Sequence, residues 1–179
     1  EVVSLVEMEG REYLFYPSFH IDACLIRGTY ADEDGNITMW HEALTDAQLE
    51  LASAVHNGGG TVIVQVEGIV KRGTIPPKEV RIHNSLVDYI VKARPGNHLQ
   101  GYACSHYRPE LTGEVQVPTD ALPPMPLDIR KVIARRAAIE LRPGCLINLG
   151  IGIPSGIANV ANEEGIANQM TLSLASGPV

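Results

Sequence analysis

At 179 residues, with 45% hydrophobic and 20% charged residues, the chain has an ordinary globular composition and the length of about one domain, or parts of two. A net charge of −7 with scattered basic residues argues against a nucleic-acid surface. No apolar run approaches the ~18–20 residues that span a bilayer.

The first 36 residues read as strands: EVVSLVEM, then EYLFY (Glu12 to Tyr16), then Ile21 to Tyr30, which runs into the turn Asp32-Glu33-Asp34-Gly35-Asn36. In LTDAQLELASAVHNGGG, Thr45 and Gln48 have capping-box spacing. Leu49, Ala52 and Val55 follow at helical spacing, and Gly58-Gly59-Gly60 ends the helix. Thr61 to Val66 (TVIVQV) is a near-continuous β-branched run, which suits a parallel strand covered on both faces. Val80 to Ile82 and Val87 to Val91 are shorter strand candidates.

Val117 to Asp128 (VPTDALPPMPLD) carries four prolines and reads as an extended linker. It divides the chain into residues 1–116, a linker at 117–127, and residues 128–179. Asp128 is placed to cap a helix over Ile129–Leu141, with Ile129, Val132, Ile133, Ala137 and Leu141 on one apolar face. Arg130, Lys131, Arg135 and Arg136 would cover its solvated side. Cys145 to Leu149 is a strand, GIGIPSG a glycine-rich turn, Pro154 to Glu164 a second helix, and Met170 to Leu174 the next strand. Helix, strand, glycine turn, helix, strand is the pattern of an open, mostly parallel α/β sheet with flanking helices.

The glycine turn, Asn148 to Gly156, is the strongest chemical signal. Gly150 and Gly152 allow close backbone approach, and the N–H groups at the start of a helix favour an oxyanion or phosphate. A dinucleotide fingerprint fits poorly: Gly156 falls one position late, and alanine stands near 175 where an acidic residue would hold a ribose. Acyl chemistry fits better, with backbone donors in the turn and a nucleophile at the tip of the neighbouring strand. A plain strand-to-helix turn would use the same residues.

The stretch KVIARRAAIELRPGCLINLGIGIPSGIANVANEEG, with TLSLASGP after it, resembles the start of the second domain of family I CoA-transferases. The single-chain acetate, propionate or acetoacetate type is the nearest likeness. GGGTVIVQVEGIV and VDYIV look like the end of the first transferase domain, and the proline-rich stretch like the linker between the two.

The resemblance implies ping-pong exchange of CoA between a short-chain acyl-CoA and a carboxylic acid. A glutamate attacks the thioester to give an acyl-glutamyl anhydride and CoA thiolate. The thiolate then attacks the glutamyl carbonyl, leaving a glutamyl-CoA thioester and the released acid. An anhydride keeps the activation that hydrolysis would waste. By the same resemblance Gly150, Ile151, Gly152, Ile153 and Pro154 form the oxyanion hole and CoA site, and Ala175 occupies the nucleophile position. CoA thioester is then a substrate, and no metal or redox cofactor is expected. Partners would be acyl-CoA and carboxylate, without nucleic acid or membrane. Self-association, or association with other segments of a parent chain, is also expected.

Alanine at 175 cannot attack a carbonyl. An engineered knockout, a natural inactive relative that binds CoA or serves assembly, and a chemistry using Ser176 all remain open. The chain starts with Glu1 and stops inside a turn, so it reads as part of something longer.

Other residues are weaker candidates. Cys104 and His106 alternate but lack a third metal ligand nearby. Asp32, Asp34 and Asn36 mimic part of a calcium loop, yet Ala43 stands at its twelfth position, so a turn is expected. The three cysteines, Cys24, Cys104 and Cys145, are far apart and odd in number, which suits a reducing cytoplasm.

Overall fold

A computed structural model describes residues 2–101, 106–118 and 122–174. The chain is an α/β protein that forms two compact units, Glu1–Arg108 and Pro109–Val179.

In the first unit, β1 (Ser4–Met8) and β2 (Arg11–Phe15) make an antiparallel hairpin, exposed along most of both strands. A separate parallel sheet has the order β3 (Ala23–Asp32), β4 (Thr61–Val70), β5 (Tyr89–Lys92). Helix α1 (Gln48–Asn57) lies between β3 and β4 in the chain and packs against both. Cys24 and Ile26 of β3, Val62, Val64 and Val66 of β4, and Ala52 and Val55 of α1 form one core with Ile37 and Ile82.

Three expectations change here. Burial along β4 alternates, so one face is packed and the other is not fully covered; its neighbours in register, Leu25 and Tyr89, are exposed. The Thr45–Gln48 capping box does not form. Gln48 Oε1 instead accepts the backbone N–H of Arg27 at 2.8 Å, satisfying a β3 donor in preference to a local cap, and Ala47 at the N-cap offers no side-chain bond. Leu49 is exposed in consequence of this helix orientation, while Ala52 and Val55 face the core. The strand expected at Val80–Ile82 is only a bridge between Ile37 and Ile82.

The Asp32–Asn36 turn forms as expected. Asp32 Oδ1 accepts the N–H groups of Asp34 (3.0 Å) and Asn36 (2.9 Å), and Oδ2 accepts from Asn36 Nδ2 at 2.9 Å. Burial raises the Asp32 pKa, but these hydrogen bonds outweigh it and hold the carboxyl below its ordinary value. Asp32→Ala should cost about 2 kcal/mol by orphaning these donors. Because the folded pKa is lowered, the stabilisation is present above the unfolded value of ~3.9 and is lost as pH falls through the folded one. Urea unfolding at pH 7 and in acid measures both effects: the deficit of the variant should shrink in acid.

In the second unit, Asp128 caps α2 (Ile129–Ala138), its Oδ1 accepting from Lys131 N at 3.0 Å. Arg142-Pro143-Gly144 leads into β6 (Leu146–Leu149), and α3 (Gly156–Glu163) carries the chain to β7 (Thr171–Leu174). Strands β6 and β7 are parallel neighbours. The face of α2 that meets α3 is Ala134 and Ala138 against Val160, with Lys131 beside them. Ile129, Val132 and Ile133 of the expected apolar stripe are exposed. Small side chains win the contact because they let the two helix backbones approach; Gly156 would have a Cβ only 3.4 Å from that of Ala134.

Candidate active site

Leu149, the last residue of β6, pairs with Leu174, the last described residue of β7. Gly150 follows Leu149 in the chain and Ala175 follows Leu174, and the two strands end level with each other at the same end of one parallel pair. Ala175 itself lies outside the described residues, as do Ser176, Gly177, Tyr102 and Cys104.

The turn is built from the top of β6. Gly152 has φ 99° and ψ −125°, a backbone state that disfavours any side chain. A single 3₁₀ turn, Ile153–Ser155, then leads into α3, with Pro154 in the position where a missing N–H is harmless. Ser155 Oγ donates to the Gly152 carbonyl at 2.7 Å and closes the loop. Ile151 is 78% exposed, so this segment presents backbone rather than a packed side chain. Among the described residues, the N–H groups of Ile151, Gly152 and Ile153 have no acceptor. Donors of this kind at a helix start suit a developing oxyanion or a phosphate. Gly152→Ala should cost about 1–3 kcal/mol through the forced φ, read as a lower urea midpoint with unchanged slope.

Glu163 and Glu164 stand at the other end of α3 and are already paired. Glu163 contacts Lys131 Nζ, and Glu164 Oε1 lies 3.0 Å from Arg135 Nε. The Lys131 hydrogen bond is the main reason the Glu163 carboxyl is held below its ordinary value. Both acids are thus committed to ion pairs at the end of α3 away from the glycine turn.

Sequence reasoning missed a second constellation, in the first unit. The Glu42 side chain is only 3% exposed and is held by Arg27 Nε and by His98 Nε2 at 3.2 Å. His98 Nδ1 lies 3.1 Å from Gln65 Nε2, and Arg27 Nη1 donates to the Leu99 carbonyl at 2.7 Å. Burial pushes the Glu42 pKa up, but His98 and Arg27 more than offset this and the carboxyl is lowered. An open groove of about 770 Å³ borders the cluster, with Leu25, Leu44 and Leu51 among its apolar walls. These residues come from strands and loops far apart in the chain, so no spacing rule could have joined them.

Among the described residues no group of three His, Cys, Asp or Glu could hold a metal ion, and no helix is long and apolar enough to cross a membrane. His106 and Tyr107 lie in the first unit, with the Tyr107 ring 4.4 Å from that of His41.

A family model described as Coenzyme A transferase matches residues 2–93, just over half the chain. The chain is 45% identical to a caffeate CoA-transferase of Acetobacterium woodii, over 99% of this chain and 34% of that protein. It is 38% identical to the acetate CoA-transferase YdiF of Escherichia coli (strain K12), over all of this chain and 33% of that protein. A crystal structure of the acyl-CoA transferase YdiF from E. coli O157:H7, a thioester complex with CoA, superposes with a TM-score of 0.83 over 99% of this chain and 35% of that one. The chain thus spans about a third of the length of the curated relatives it matches.

Proposed function

Because the chain belongs to the coenzyme A transferase family, we propose that it is the segment of an acyl-CoA:carboxylate CoA-transferase that joins its two domains. Residues 1–116 belong to the end of the first domain, 117–127 to the linker, and 128–179 to the start of the second. The substrates are a short-chain acyl-CoA and a carboxylic acid; the likeness to a transferase named for acetate supports the short-chain reading, and the likeness to one named for caffeate supports the broader acyl-CoA:carboxylate class. The thioester is a substrate, and no metal or redox cofactor takes part. The segment works in the cytoplasm, within an oligomer or against the rest of its parent chain.

One observation carries the reading: the parallel register that pairs Leu149 with Leu174. Adjacent parallel strands lie ~4.8 Å apart, so groups just beyond the two strand ends are within reach of one carbonyl. Gly150, Ile151, Gly152, Ile153 and Pro154 bind the thioester oxygen and CoA, the first four through backbone N–H groups and Pro154 by fixing the backbone at the helix start. Position 175 is where a glutamate would attack.

With alanine there, the segment holds its substrate without forming the covalent intermediate. That favours a second reading, a CoA-binding or assembly element without transferase activity. The test is Ala175→Glu in a protein carrying both complete domains, incubated with acetyl-CoA. A covalent CoA adduct on the peptide containing residue 175, seen by mass spectrometry, supports the catalytic reading; no adduct and no transfer leave the non-catalytic one.

A further inference from the structure

The approach to α2 is fastened in an unusual way. Met125, three residues before the Asp128 cap, has both backbone polar groups held by side chains of the two helices. Its N–H donates to Glu163 Oε1 at 2.6 Å, and its carbonyl accepts from Lys131 Nζ at 2.9 Å. Lys131 and Glu163 also pair with each other, with side chains only 11% and 20% exposed. The backbone of residue 125 is therefore pinned from both sides by one ion pair.

The Met125 side chain then reaches the other end of α3. A Cβ built on Gly156 would stand 3.3 Å from Met125 Cε and from its sulfur. Gly156 is buried, opens α3, and follows directly on the Ile153–Ser155 turn. A thioether fills this gap well because it is flexible and polarisable.

We propose that Lys131 and Glu163 form a latch that positions the glycine turn through Met125. The pair sits at the C-terminal end of α3, yet it fixes the side chain packed on that helix's first residue. If Met125 shifts, Gly156 loses its packing partner, and the donors of Ile151 to Ile153 lose their fixed direction. Lys131 and Glu163 are positioning residues and touch no substrate. The proposal rests on reading residues 150–154 as the thioester-binding turn.

Amide exchange in the chain as it stands tests the latch without any activity. Glu163→Gln removes the charge of the pair, and Met125→Ala removes the contact with Gly156. Each should speed exchange about tenfold at Gly156, whose N–H is bonded back to the Ile153 carbonyl across the turn, while Ile147 in β6 stays unchanged. Because the two act in series, the double variant should be no faster than the quicker single. Lys131→Arg, which keeps a donor and a charge, should keep most of the protection. Arg135→Ala, which breaks the neighbouring exposed pair, should leave the turn as it was.

An unchanged turn in both Glu163→Gln and Met125→Ala overturns the latch, and so do effects that multiply. A rise spread equally over β6 also overturns it, since that is general destabilisation. In the two-domain Ala175→Glu protein, Glu163→Gln should lower kcat about tenfold and leave the KM for the carboxylate acceptor unchanged. If Ala175→Glu gives no transfer at all, the transferase reading fails while the exchange data still decide the latch.

Discussion

Ala175→Glu, in a protein with both domains complete, is expected to raise CoA transfer by on the order of a million-fold over the alanine form. The size follows from what the residue supplies. A covalent nucleophile splits one difficult acyl exchange into steps that conserve the thioester's activation, and a methyl group supplies none. Glu163 and Glu164 are engaged with Lys131 and Arg135 at the far end of α3. Transfer from acetyl-CoA to propionate, followed by separation of the two thioesters, measures the rate. Ala175→Gln is the control, since it has the size of glutamate without a nucleophilic oxygen. Equal rates for the two variants would remove position 175 from the chemistry.

The second large effect lies in the first unit. Arg27→Met should destabilise the protein by about 3–5 kcal/mol, because it strips the buried Glu42 carboxylate of its guanidinium partner and leaves it to His98. Arg27→Met combined with Glu42→Leu should recover much of that loss, since no buried charge is then stranded. The acid dependence has a definite sign. Glu42 has a folded pKa below its ordinary value, so its contribution is complete above the unfolded value of ~4.3 and is lost as pH falls through the folded one. The deficit of Arg27→Met should therefore be greatest near neutrality and shrink in acid. Urea midpoints at several pH values decide it; a deficit that grows in acid contradicts the assignment.

The parts of the fold that were legible in the sequence are those set by local chemistry. The β-branched run of β4, the Asp32 turn, the Asp128 cap and the glycine stop after α1 lie where spacing put them, whereas α2 ends at Ala138, short of the expected Leu141. The parts that were not legible depend on which partner an element meets. The stripe Ile129, Val132 and Ile133 satisfies helical periodicity, yet Ala134 and Ala138 make the contact because α3 comes close there. Gln48 satisfies a capping rule, yet a backbone N–H on β3 claims it.

The candidate site divides in the same manner. The residues of the turn announce themselves through glycine and proline. The register that brings β6 beside β7 required the structure, and so did the clasp around Met125. Glu42, Arg27 and His98 carry no periodic cue, and only the folded chain brings them together.

The pairing of β6 with β7 also bears on the order of assembly. The two strands share only four residue pairs in register and are separated in the chain by a helix and its flanking turns. Closing a loop of about 20 residues costs entropy that local contacts return only once α3 has docked on α2. The strand ends next to the glycine turn are therefore expected to pair late in folding and to be among the first places to open. On the proposed function, acyl-CoA bound at the ends of β6 and β7 would slow that opening, so saturation with acyl-CoA in the two-domain protein should protect these strands from proteolysis.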